Sequence, residues 1–209
     1  MAAPAVGSAP LALVALLDRF PDESPPVSMA GAAVSIVLRE GDREVEALLI
    51  ERTQSPSDPA SGQVAFPGGH VDDGDGSLRT TAERELEEEV GLTGADLTGP
   101  LRFVGAFAAP RFELTVGAFA GALGLGGRPP TARSSGEVAH VFWIPRSAVG
   151  RTQRVHRETG YGLTEVNATV HEGHVLWGFT RRVLRDFFGY PVEDIVAGPL
   201  FARRGERPT

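Results

Sequence analysis

The stretch 83–89 reads Glu-Arg-Glu-Leu-Glu-Glu-Glu and lies between a serine and a glycine suited to the two ends of a helix. Ser77 can cap the first turn and Gly91 can end the last one in the left-handed conformation, so the spacing predicts a helix from Ser77 to about Val90. Leu78, Ala82, Leu86 and Val90 recur every four residues and give that helix one apolar stripe. At about 100° per residue, Glu85, Glu88 and Glu89 share another face. Like charges on adjacent turns repel by about 0.2–0.5 kcal/mol per pair, and Arg84 offsets only part of this. A divalent cation would offset more, and carboxylate oxygens suit Mg²⁺ or Mn²⁺. Just upstream, Phe66-Pro67-Gly68-Gly69 predicts a sharp turn, where small residues let backbone carbonyls approach both a cation and the helix.

The remaining chain frames this helix with β-rich segments. Leu11, Val14 and Leu17 sit at helical spacing and predict a short N-terminal helix, followed by the Pro- and acid-rich stretch 21–26. Ala32–Leu38 and Val45–Glu51 read as a hairpin turning at Glu40-Gly41-Asp42. Leu101–Phe107, Glu113–Leu123 and Val138–Ile144 read as strands, with the Gly/Pro-rich loop Gly124–Pro130 between the second and third. Gln153–Val170 reads as a strand pair, and Val175–Phe188 as a helix through Leu176, Phe179, Val183 and Phe187. The order predicts an α+β fold, a sheet flanked by helices.

With 209 residues the chain is long enough for one packed domain plus peripheral elements. The expected division is an N-terminal helix and linker over 1–28, a domain over 29–195 and a tail over 196–209. A net charge of −7 disfavours a broad basic surface for nucleic acid. The absence of cysteine excludes disulfides, thiolate ligands and cysteine nucleophiles, and fits a cytoplasmic protein. The apolar run 11–17 is far shorter than the roughly 20 residues that span a bilayer, so no membrane partner is expected. No nucleophilic triad, P-loop lysine motif or dinucleotide-binding glycine fingerprint is present in the sequence.

Gly69 followed by Arg84-Glu85-Leu86-Glu87-Glu88-Glu89-Val90-Gly91-Leu92 resembles the Nudix box, whose second half it matches at every specified position. Counting back from Arg84 puts Gly76 where the box has its first Glu, with one extra residue after Gly69; Asp72, Asp73 and Asp75 nearby read first as turn formers. The resemblance implies the Nudix fold, a mixed β-sheet sandwiched between α-helices, and metal-dependent hydrolysis of a nucleoside diphosphate linked to another group. Carried over by position, Glu85, Glu88 and Glu89 would bind Mg²⁺ or Mn²⁺, assisted by a backbone carbonyl near Gly68 or Gly69, and Arg84 would orient the glutamates.

Within that superfamily the chain is similar to the coenzyme A diphosphatase branch over about residues 30–190. The blocks that carry this are Leu48-Leu49-Ile50-Glu51-Arg52, Gly62 to Gly69, Glu137-Val138 through Pro145, and Leu176 to Thr180. The branch implies coenzyme A or a derivative as substrate, with Arg52, Gly68 and Gly69 on the substrate side, and Arg111 is a candidate phosphate clamp beside them. Glu137 is a candidate general base or additional ligand, with a plain surface carboxylate as the other reading. Arg133 is a second candidate phosphate clamp, and His70 could meet a phosphate. The alternatives are a Nudix hydrolase of ADP-ribose, nucleoside triphosphates or dinucleotide polyphosphates, and a non-catalytic nucleotide-binding module. A homodimer is compatible with the resemblance.

Overall fold

Val, Ile, Leu and Ala predominate between residues 32 and 50, and in the computed structural model they form the central strands of a sheet buried on both faces. Residues 11–55, 61–110, 113–133, 136–159 and 162–192 are described; they divide into two compact units, Met1–Ser147 and Ala148–Thr209. The division falls inside the stretch 29–195 read from the sequence as one domain, and the tail 196–209 lies outside the described residues.

The first unit opens with α1 (Leu11–Leu17). The strands β1 (Ala32–Glu40) and β2 (Val45–Arg52) form the expected hairpin, with Glu40 opposite Val45. The chain returns along it as β3 (Val64–Ala65), paired with β2, and β4 (Gly68–His70), paired with β1. Helix α2 (Leu78–Val90) follows, then β5 (Arg102–Ala109), β6 (Leu114–Ala122) and β7 (Val138–Pro145). The sheet runs β3-β2-β1-β6-β5, with β4 also on β1 and β7 also on β2. β1 and β6 are parallel and the other pairings antiparallel, so the sheet is mixed.

Helices lie on both faces of this sheet. Leu78, Ala82, Leu86 and Val90 of α2 are buried in one cluster with Val37, Leu48, Ile50 and Phe119. Phe119 faces α2, whereas Ala122, of opposite parity on β6, lines a small cavity with Val14 and Leu17 of α1. The segment between α1 and β1 is stitched to the start of α2. Pro25 O accepts from the Leu78 amide, and Arg79 pairs with Asp22. One otherwise orphaned helical donor is thereby satisfied.

α3 (Arg146–Val149) spans the division between the units. In the second unit, β8 (Gln153–Thr159), β9 (Gly162–His171) and β10 (His174–Trp177) form an antiparallel meander, followed by α4 (Gly178–Phe188). The helix expected over Val175–Phe188 therefore starts late. Glu172 (φ 49°) and Gly173 (φ 85°) make a tight hairpin turn that places Val175 and Leu176 on β9, and Leu176 owes its burial to the sheet position. Among the described residues, no helix is long and apolar enough to cross a membrane.

Candidate active site

Helix α2 has the ends its sequence calls for. The Ser77 side chain accepts from the Thr80 amide, and Gly91 closes the helix at φ 74° with its N–H on Glu87 O. Between these caps the three glutamates of the polar face sit at different depths. Glu88 is exposed, Glu85 is half-buried, and Glu89 is only 3% exposed.

Glu89 reaches the β-sheet at two points. Its Oε2 accepts from the Gly68 amide at 2.9 Å, and its Oε1 lies 3.7 Å from Arg52 Nη1. Burial pushes its carboxyl up to about 7; the Gly68 amide and Arg52 oppose that rise, while Glu85 and Glu137 add to it. Glu85 is raised for the same first reason, burial, with Arg84 opposing and Glu88 and Glu137 contributing. Residues 85, 88, 89 and 137 thus form one electrostatically coupled group of carboxylates.

The glycines that the sequence placed in a turn lie in β4, after a bend at Pro67. Gly68 has φ 153° and packs so closely on β1 that a Cβ there would collide with Ala33 O and Val34 Cα. At Gly69 a Cβ would collide with Glu85 Oε1, so the missing side chain is what lets the strand backbone meet the glutamate. The contact seen from Gly68 to α2 is made by its N–H.

Arg84 is the hub of the polar face. Its Nη1 donates to Glu85 Oε1 at 2.8 Å and Glu88 Oε2 at 3.2 Å, and its Nη2 donates to His70 O at 3.0 Å. Nε and Nη2 form a fork on Asp75, at 3.2 and 3.0 Å. Asp75 also accepts from Thr81 Oγ1 and from the Asp72 amide, and its side chain is 4% exposed. Arg84 and these donors hold its carboxyl at about 2. Asp75 is therefore more than a turn former, and a carboxylate one residue before Gly76 pairs with the arginine. The extra residue between Gly69 and Arg84 was the sequence signal for it: an insertion shifts which side chain faces the helix.

Arg52 stands at an irregularity in the β2–β7 pairing, and the neighbouring Thr53 amide donates to Glu137 O at 2.8 Å, bringing Glu137 to the same end of the sheet. Arg133, read as a phosphate clamp, instead lies across the C-terminal end of α2, with Nη2 3.5 Å from Gly91 O. The helix end leaves carbonyls that a cation suits. The His70 side chain is exposed at the end of β4, and Arg111 lies outside the described residues.

Among the described residues, no three acidic or imidazole side chains converge on one point. The donor chemistry nevertheless fits a hard divalent cation. Carboxylate oxygens meet a strand without side chains at Gly68 and Gly69, and burial together with neighbouring carboxylates raises both Glu85 and Glu89, Glu88 and Glu137 acting on the first and Glu85 and Glu137 on the second.

Comparison with known proteins agrees with this geometry. The NUDIX domain family model matches residues 29–165, and the chain belongs to that family. It is a hydrolase of substrates that contain a diphosphate linkage. The chain is 31% identical over 192 residues to the uncharacterized Nudix hydrolase NudL of Cronobacter sakazakii, covering 86% of this chain and 94% of that one. It is 42% identical over 120 residues to the peroxisomal coenzyme A diphosphatase ndx-8 of Caenorhabditis elegans, covering 56% of this chain and about half, 49%, of the worm protein. A NUDIX hydrolase structure from Alicyclobacillus acidocaldarius superimposes with a TM-score of 0.51 over 77% of this chain and 91% of its own, at 20% identity, which bears on the fold.

Proposed function

We propose that this protein is a divalent-metal-dependent diphosphatase acting on coenzyme A or a derivative, releasing 3′,5′-ADP and a 4′-phosphopantetheine product. The observation that carries the reaction class is the buried Glu89, held between the Gly68 amide and Arg52 and coupled to Glu85 and Glu137. The substrate rests on the 42% identical coenzyme A diphosphatase and on the blocks around Arg52 and Gly62–Gly69.

In this reading Glu85, Glu88 and Glu89, with a backbone carbonyl near Gly68 or Gly69, would hold Mg²⁺ or Mn²⁺. Such an ion, when bound, neutralises phosphate charge and acidifies water. Arg84 keeps Glu85 and Glu88 oriented from its anchor on Asp75. Glu137 accepts the proton of the attacking water, whose oxygen bonds to one phosphorus as the bridging P–O bond breaks and the second phosphate leaves. Arg52 and Arg111 contribute positive charge to the diphosphate. The domain is taken as 29–195 and the compartment as cytoplasmic.

A second reading, another nucleoside diphosphate derivative as substrate, is favoured by one feature. Between Arg52 and Gly62 there is no Lys or Arg to meet the 3′-phosphate of coenzyme A. Chromatography with mass identification of products from coenzyme A and from ADP-ribose separates the two. 3′,5′-ADP from coenzyme A supports the first, and AMP from ADP-ribose with intact coenzyme A supports the second.

A further inference from the structure

Between β6 and β7, residues 128–133 follow the end of α2, and Glu137 stands just before β7. At its start, Arg128 donates to Asp96 through Nε and Nη2, at 3.0 and 2.8 Å. Further along, the Thr131 amide donates to Val90 O at 3.1 Å, and the Arg133 amide to Glu89 O at 3.0 Å. Both acceptors are last-turn carbonyls of α2 with no partner inside the helix. The Arg133 side chain then covers Gly91, where a Cβ would collide with its Nε. Four residues later, Glu137 O accepts from the Thr53 amide, beside Arg52.

We propose that Arg133 is a positioning residue for Glu137: its guanidinium clips the loop to the C-terminal end of α2, so that Glu137 is held near Glu85 and Glu89. The inference rests on the role given to Glu137 above. Gly91 serves it twice, since it ends the helix in the left-handed conformation and leaves room for the guanidinium. A cation also complements the negative end of the helix dipole, which favours Arg or Lys over a neutral side chain at this position.

The test uses the full-length chain with Arg133→Ala, Arg133→Lys and Glu137→Gln, and the Arg133→Ala/Glu137→Gln pair. Arg133→Ala is expected to lower kcat about tenfold at unchanged KM, as misplacement of a reacting group does. Arg133→Lys is expected to restore most of the loss, and the effect of Arg133→Ala is expected to vanish in the Glu137→Gln background. In metal-free protein, hydrogen exchange at the Thr53 and Thr131 amides should be about tenfold faster in Arg133→Ala. A raised KM with unchanged kcat would make Arg133 a substrate contact and overturn the proposal, as would a full additive loss in the double variant. Unchanged exchange at both amides overturns the positioning role even if Glu137 proves essential. A fully active Glu137→Gln variant instead removes the role of Glu137, and this inference with it.

Discussion

Replacing Glu89 with Gln should stabilise the metal-free protein while removing its activity. Glu89 is almost wholly buried, and its carboxyl is raised from 4.5 to about 7, chiefly by desolvation. Below pH 4.5 the side chain is protonated in both folded and unfolded chains and has no effect. Between 4.5 and about 7 the unfolded chain ionises first, so stability falls as pH rises, and above about 7 the full penalty is present. The rise from 4.5 to about 7, at about 1.36 kcal/mol per factor of ten in proton affinity, amounts to about 3 kcal/mol. Gln keeps an oxygen for the Gly68 amide and carries no charge to bury. Urea unfolding of both proteins in chelator from pH 4 to 9 should show equal stability at the acid end. The variant should gain up to about 3 kcal/mol above pH 7, or roughly 6–12 °C in Tm. Adding Mg²⁺ should shrink the gap, because the ion stabilises only the protein that binds it. A variant less stable than wild type at pH 8 in chelator would show that the buried charge does not cost stability.

Asp75→Asn should destabilise the fold by about 2 kcal/mol at neutral pH, from the drop of its carboxyl to about 2. That contribution is present above pH 3.8 and is lost as pH falls through about 2, so the two proteins should converge in acid unfolding. The adjacent glycines should separate fold from function. Gly68→Ala, which meets the backbone of β1 at a positive φ, should fail to fold or lose more than about 3 kcal/mol, read by circular dichroism. Gly69→Ala, which meets only the Glu85 carboxylate, should keep its Tm within a few degrees yet lose at least about tenfold in kcat.

The parts of this structure legible in sequence are those fixed by local chemistry. Ser77, Gly91 and the four-residue apolar repeat mark both ends of α2, and the Glu40–Val45 turn defines the first hairpin. What sequence could not supply depends on partners far along the chain. The depth ordering of Glu88, Glu85 and Glu89 comes from which of them meets β4, where the Gly68 amide binds Glu89, and periodicity does not encode that. Arg133 as a helix-end clip needs the loop to return across more than forty residues to Gly91. Asp75 was read as a turn former because counting positions assigns the carboxylate to residue 76; the extra residue after Gly69 was the one sequence signal, and the bonds from the Asp72 amide and Arg84 place the pairing at residue 75. The start of α4 was misread because Leu176 satisfies a helical and a strand pattern equally, and the Glu172-Gly173 turn decides between them.

The proposed reaction is metal-dependent cleavage of a diphosphate at the carboxylate face of α2, against Gly68 and Gly69. The most direct test is the initial rate of phosphate-monoester release from coenzyme A as Mg²⁺ or Mn²⁺ is titrated into chelator-treated protein, with Glu89→Gln alongside. No cleavage is expected without metal, a saturable rise with it, and a loss of about 10²–10³-fold in the variant, the weight of one electrostatic contributor in such sites. Cleavage that persists in chelator, or a Glu89→Gln variant as active as the wild type, would contradict it.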